Sequence, residues 1–286
     1  MEGSIKTQRE IKADLHIHST LSDGTYTPYE IIDLSSKQGL MAISITDHDD
    51  FSEDSLAAYA QKKDIIFIPA IEFSTKFTNV HILGYDLDWE KEQLKNFLTH
   101  QKKERKKAVL KMCEKSKDKG LPVSAEEILE KTREAKSIGR PHLADIMVKK
   151  GYVKNLYEAF KKYLYTGGPL FEDYEKYHHK EIIQLIKNCH GLAVLAHPGL
   201  IPRYTQDCTV EEIIDCGLDG LEVYYPRHTS SQINQFLTLC KKHDLGVTGG
   251  SDFHGEVKPD IKMGQAGLTA EEFTTLHQRF FSHYGW

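Results

Sequence analysis

The chain has 286 residues and a formal charge of −5, with 37 Lys and Arg against 42 Asp and Glu. That length can bury a full core, as one barrel or as two compact units. No apolar run approaches the eighteen or so residues that a membrane span needs, and the polar N-terminus lacks a secretory apolar region, so a cytoplasmic protein that meets no membrane is expected.

The predicted elements alternate at first. Residues 1–10 are polar, and Ile11 to His16 reads as a strand whose period of two sends Asp14, His16 and His18 to one side. Ser19 to Thr27 is a loop, and Pro28 opens a helix through Ser36 that Gly39 ends. Ala42 to Thr46 is the second strand, followed by a helix that Ser52 caps. Ile65 to Ile71 is a continuous apolar strand, and Val80 to Tyr85 is the fourth.

From residue 90 to 165 the alternation breaks into helical patterns: a basic helix near Glu92 to Lys119, one opened by Ser124 with Glu127 at capping-box spacing, one from Arg140 to Lys149 and one near Leu156 to Leu164. This reads as a helical insertion over the mouth of a barrel formed by 1–89 and 166–286, with Gly167-Gly168-Pro169 as the return hinge. Alternation then resumes with a helix from His179 to Asn188, a strand from Leu192 to Ala196, and a helix from Val210 to Cys216. A strand from Gly220 to Tyr224, a helix from Ser230 to His243, a strand from Val247 to Gly250 and a closing helix from Ala270 to His283 complete the chain.

Five cysteines, Cys113, Cys189, Cys208, Cys216 and Cys240, are odd in number and lack C-x-x-C spacing, which argues for free thiols. Between Lys91 and Lys119 eleven Lys or Arg stand against four acids, leaving −12 for the remainder. Such a segment, with its densest run at Lys102 to Lys107, suits an anionic partner or a solvated helix face with i,i+4 pairs.

His16 and His18 on one strand face suit a divalent first-row metal, with Asp14 as a third ligand or an orienting group, although polar residues on a wet strand face read the same way. Similar clusters recur where later strands end: Asp47-His48-Asp49, Glu72, His81, His197 and Asp252-Phe253-His254. In parallel barrels the loops after the strands share one face, so these ligands would converge as a polynuclear site. Its donors are nitrogen and oxygen only, which admits Mn, Fe or Zn.

His16-x-His18 with Ser22-Asp23-Gly24, Thr46-Asp47-His48-Asp49, Pro69-x-x-Glu72, Ala196-His197-Pro198 and Gly250-Ser251-Asp252-x-His254 resemble the four-part signature of the polymerase and histidinol phosphatase (PHP) phosphoesterases. The resemblance implies a distorted (β/α)7 TIM-like barrel of α/β class and two to three divalent ions. It assigns His16, His18, Asp252 and Glu72 to one ion, Glu72, His81 and His197 to a second, and Asp23, His48 and His254 to a third. Asp23 stands where some relatives carry His. Gly139-Arg140-Pro141-His142 and Tyr224-Tyr225-Pro226-x-His228 resemble the members that act on nucleoside 3′,5′-bisphosphates, AMP-like compounds or the 5′ ends of short RNA.

Closely spaced metals suit hydrolysis of phosphate esters, since a water between them loses its proton near neutral pH and the cations offset charge on the phosphoryl oxygens. The expected function is therefore a metal-dependent phosphomonoesterase for nucleotides, or an exoribonuclease on short RNA, with no obligate protein partner. Arg140 and Arg203 are the candidates for clamping phosphate, His142 for binding substrate, and His228 for protonating the leaving oxygen or binding a second phosphate. Arg140 as a helix-terminal charge and Arg203 as a surface residue are the bland readings. A histidinol-phosphate phosphatase and an amidohydrolase-type C–N hydrolase are the alternatives, but the second gives no reason for Arg140, His142 and His228. A non-catalytic metal module would be expected to have lost ligands.

Overall fold

A computed structural model describes residues 9–51, 55–77, 79–131, 138–201 and 208–282. The strands and helices before the central helical stretch are β1 (Ala13–Ile17), α1 (Pro28–Lys37), β2 (Ala42–Ile45), α2 (Ser55–Gln61), β3 (Ile66–Phe67), β4 (Ala70–Ser74) and β5 (His81–Tyr85). The stretch itself holds α3 (Glu92–Asp118), α4 (Ala125–Lys131), α5 (Arg140–Lys149) and α6 (Leu156–Ala159), the last continuing into a π turn at Phe160–Leu164. Then come α7 (His179–Asn188), β6 (Leu192–Leu195), α8 (Val210–Ile214), β7 (Gly220–Tyr224), α9 (Ser230–His243), β8 (Gly246–Gly249) and α10 (Ala270–Phe280).

Local sequence explains most of the boundaries. Thr27, Thr209, Thr229 and Thr269 each open a helix with a reciprocal capping box to Glu30, Glu212, Gln232 and Glu272. The expected strand from Ile65 to Ile71 is two, because it breaks at Pro69, which has no N–H for a ladder. The last helix stops at Phe280. The Ser52 cap falls outside the described residues.

The eight strands among the described residues, where seven were expected, hydrogen-bond as two sheets, β1-β2-β3 and β4-β5-β6-β7-β8. Strands β4, β5 and β6 pair antiparallel, the other ladders parallel. The short connection from β4 to β5 makes them antiparallel neighbours, and the reversed β5 therefore also meets β6 antiparallel. Isolated parallel bridges span the two sheets, His48 to Glu72 at one edge and Ile17 to Phe253 at the other. Both bridges lie at the strand ends that carry the histidines.

Burial follows the two parts of the sequence. Ile71, Phe73, Ile82, Leu195, Leu221 and Val223 anchor a core between sheet and helices. Val109, Met112, Ile128, Leu143, Met147 and Leu164 form a second core inside the helical stretch. No helix among the described residues is long and apolar enough to cross a membrane.

Candidate metal centre

His16 and His18 leave β1 on the same side and meet residues from the far end of the chain. The Asp252 N–H donates to His16 O at 2.8 Å and the His18 N–H to Phe253 O at 2.9 Å, which lays 252–254 alongside β1. Gly250 makes this possible: a Cβ there would stand 2.3 Å from the His16 Cβ. His16 Nδ1 donates to Glu222 Oε1 at 2.9 Å, and Glu222 Oε2 accepts the His197 N–H at 2.7 Å. One buried carboxylate on β7 thus fixes the tautomer of His16, leaves its Nε2 free, and seats the His197 loop. Asp14 is not aimed at the cluster. Its oxygens accept from the Ser251 and Gly264 N–H groups at 2.8 Å each, and burial raises its carboxyl to about 6.

Glu72 stands at the centre. Its Oε2 lies 3.1 Å from His18 Nε2, 3.1 Å from His48 Nδ1 and 3.5 Å from His16 Nε2. Its Oε1 lies 2.8 Å from His81 Nδ1 and 3.0 Å from His197 Nε2. Asp252 Oδ1 lies 3.4 Å from His18 Nε2 and 3.7 Å from His16 Nε2. On the cleft side, Asp23 Oδ1 is 3.2 Å from His254 Nε2 and 3.3 Å from His18 Nδ1, with Asp23 Oδ2 3.8 Å from His48 Nε2. All nine expected ligands are therefore brought together.

The donor set fits divalent ions. Three groups place one ligand atom per residue within 4.8 Å of one another: His18, Asp23, His48 and His254; His16, His18 and Glu72; His48, Glu72 and His81. Among the described residues His48 Nδ1 is buried without a hydrogen bond although Glu72 Oε2 lies 3.1 Å away, and His16 Nε2 and His18 Nε2 face each other at 3.2 Å. Converging lone pairs on buried groups need a cation or protons between them. The charges agree with this. Burial opposes ionisation of Glu72, Asp23 and Asp252, yet the facing imidazoles, and for Asp252 first Lys258, hold all three carboxyls well below their usual range. Burial likewise opposes charging of His16, but Glu222 and Glu72 push its imidazole up to about 10. His18 and His48 each appear in two groups, facing Asp23 with one ring nitrogen and Glu72 with the other, and a neutral imidazole has one lone pair, so each serves one ion at a time.

The loops are held from outside. Asp47 accepts from the Ser19 N–H at 2.8 Å and from the Ser19 and Ser22 hydroxyls at 2.5 Å each, fixing the turn that carries Asp23. Asp252 Oδ2 accepts from Tyr225 Oη at 3.0 Å and Lys258 Nζ at 2.7 Å. Arg105 on α3 donates to Asp49 Oδ2 at 2.6 Å and His48 O at 2.8 Å, and Lys102 pairs with Asp50 at 2.8 Å. The basic run is thus partly committed to the site loops. Asp49, His197 and Asp252 adopt left-handed φ values of 49°, 30° and 56°. Glu222 and Lys258 were not expected from sequence, and Tyr225 and Arg105 only as members of a motif and of the basic run.

The residues expected to touch substrate divide. A cleft of about 590 Å³ opens beside Asp23, His48, His81 and His254, with the helical stretch as its opposite wall. Arg140 lines it, with Nη1 donating to Leu164 O at 3.0 Å and the guanidinium 5.6 Å from the centroids of Phe160 and Phe171. Arg227, Lys76, Lys161 and Lys258 line it too. His142 does not. Its Nδ1 accepts the Gly139 N–H at 3.1 Å and closes the first turn of α5. His228 is spent on backbone: Nδ1 donates to Val223 O at 2.9 Å, and Nε2 accepts the Gly199 N–H at 3.1 Å. Burial also keeps its pKa below the ordinary value, and with both ring nitrogens engaged by backbone neither is placed to protonate a leaving group. Arg203 lies outside the described residues.

Comparison with known proteins gives the same direction. The PHP domain family model matches residues 14–216. A 3′,5′-nucleoside bisphosphate phosphatase of Chromobacterium violaceum is 30% identical over 87% of this chain and 90% of its own length. A 5′-3′ exoribonuclease of Haemophilus influenzae is 31% identical over 85% of this chain and 90% of its own. A solved structure from Bifidobacterium adolescentis, assigned as a metal-dependent phosphoesterase, superposes with a TM-score of 0.83 at 28% identity, covering 94% of this chain and 96% of that one.

Proposed function

This chain belongs to the PHP domain family, and on that premise we propose that it is a metal-dependent phosphoesterase hydrolysing phosphomonoesters of nucleotides, with nucleoside 3′,5′-bisphosphates, AMP-like compounds and the 5′ ends of short RNA as its substrate class. The observation that carries this reading is the Glu72 carboxylate with five imidazole nitrogens within 3.5 Å of its two oxygens, beside a cleft lined by cations. We read the two bridged sheets as a distorted barrel and residues 90–165 as a helical unit roofing it.

His16, His18, Glu72 and Asp252 would hold one ion, Glu72, His81 and His197 a second, and Asp23, His48 and His254 a third, giving two to three of Mn, Fe or Zn. When bound, such ions activate water near neutral pH and offset charge gathering on phosphoryl oxygens. The protein's own groups orient the rest. Glu222 takes the Nδ1 side of His16, so that Nε2 is the nitrogen it would offer to an ion. Lys258 and Tyr225 fix one oxygen of Asp252 and leave the other facing His16 and His18. Arg140 binds a phosphate from the roof, and the neighbouring cations raise the local concentration of anions on a chain of net negative charge.

Elemental analysis of protein purified without chelator should show two to three transition-metal ions per chain. The reconstituted protein should then release phosphate from nucleotides in a panel that includes histidinol phosphate, p-nitrophenyl phosphate and 5′-phosphorylated oligoribonucleotides. Less than one ion after reconstitution, or turnover of amides with no phosphoester cleaved, overturns the reading.

A further inference from the structure

We infer that the π turn at the end of α6 builds an aromatic platform that stacks the nucleobase of the substrate. The inference rests on the proposed nucleotide chemistry and assigns the part of the molecule beyond its phosphate. In a regular helix residues four apart share a face, whereas in a π turn residues five apart do. The Tyr165 N–H bonds to Phe160 O at 3.0 Å, so Leu164 turns into the helical core with 0% exposure, and Tyr165 stays on the side of Phe160. Tyr157, Phe160, Lys161 and Tyr165 consequently all line the cleft.

Two of these rings are more open than a folded chain needs. Tyr157 is 42% exposed and Tyr165 50%, and both belong to the few large apolar side chains left in solvent among the described residues. They stand on the same wall as Arg140, whose guanidinium is held between Phe160 and Phe171, and Lys161 lies 5.6 Å above the Tyr157 ring. Aromatic faces beside phosphate-binding cations are the arrangement that binds single nucleotides or single strands, and stacking reads the π face that every base has. The platform therefore favours a nucleobase over none and discriminates little among the four.

The test uses the full-length, metal-loaded protein with Tyr157→Ala and Tyr165→Ala, singly and together, and Tyr157→Trp and Tyr165→Phe as conservative partners. Because both rings are exposed, thermal melting of the variants should match wild type, and the conservative variants guard against a folding effect. Binding of adenosine, which carries no phosphate, is read by NMR titration independently of turnover. It should weaken roughly tenfold per ring lost and be retained by the conservative variants. The preference for AMP over glycerol phosphate, as a ratio of kcat/KM, should fall by the same factor. The ratio for a 5′-phosphorylated trinucleotide over AMP separates the sources: a loss confined to the trinucleotide supports stacking of an RNA base, and a loss on AMP supports the mononucleotide. Unchanged adenosine binding in the double variant, or an equal loss on AMP and glycerol phosphate, overturns the inference. Failure of the wild type to cleave any phosphoester defeats the proposed function and leaves the adenosine titration to judge the platform separately.

Discussion

Arg105 Nη2 lies 2.6 Å from Asp49 Oδ2, so helix α3 grips the loop that carries His48. The Asp49 side chain is 1% exposed and that of Arg105 11%, which makes this a buried charge pair whose other carboxylate oxygen accepts the Ser74 N–H at 3.1 Å. Removing one partner strands the other charge. Arg105→Met should cost about 3 kcal/mol of stability and loosen His48, lowering retention of the most weakly held ion about tenfold. Melting curves and competition with a chelator check both. Wild-type melting together with full metal retention would refute the coupling.

Glu222→Gln tests the support behind His16. A glutamine amide can donate to Nδ1, moving the imidazole proton to Nε2, where it blocks ligation. Metal affinity should fall about ten- to a hundredfold, while melting of the metal-free protein changes little because the side chain keeps its shape. Equilibrium dialysis against a chelator is the measurement, and unaltered affinity would remove Glu222 from the centre.

Arg140→Ala should leave metal content intact and lower kcat/KM for nucleotides by the worth of a charged hydrogen bond, about 1.5 to 3 kcal/mol, or roughly ten- to a hundredfold. p-Nitrophenyl phosphate should suffer less if the phosphate that Arg140 holds is not the one cleaved. Equal losses on every substrate would move Arg140 to the scissile group or, through its bond to Leu164 O, to folding.

His228→Asn separates structure from chemistry. Both ring nitrogens serve backbone groups, so the substitution should lower the melting temperature, with a cost of about 1 to 3 kcal/mol for the groups left unpaired. The pH dependence of kcat should keep its shape, because an imidazole with both nitrogens engaged by backbone contributes no basic limb. A lost or displaced limb would restore His228 as an acid.

The candidate ligands were legible because each carries its chemistry in its residue type and most lie at or just beyond a strand end, although Glu72 sits in the middle of β4 and His81 begins β5. The supports were not. Glu222 sits in an apolar strand where nothing local separates a satisfied core carboxylate from an orienting one, and Arg105 is hidden inside a run of like charges. His142 and His228 misled for the converse reason: a histidine looks functional in sequence, and only tertiary contacts reveal that its nitrogens are already engaged. Pro69 was visible, but whether it ends a strand or sits at its edge depends on a partner strand that the sequence does not identify.

The left-handed backbone at Asp49, His197 and Asp252 has a consequence for selection in the laboratory. Each side chain is held in a conformation that costs roughly 1 to 2 kcal/mol relative to glycine. A library screened only for heat resistance should therefore drift toward glycine or asparagine at His197 and Asp252, gaining melting temperature as it loses the geometry around Glu72, whereas at Asp49 the buried pair with Arg105 outweighs the strain. Thermal robustness and hydrolytic competence would diverge first at these two positions, before any core residue changes.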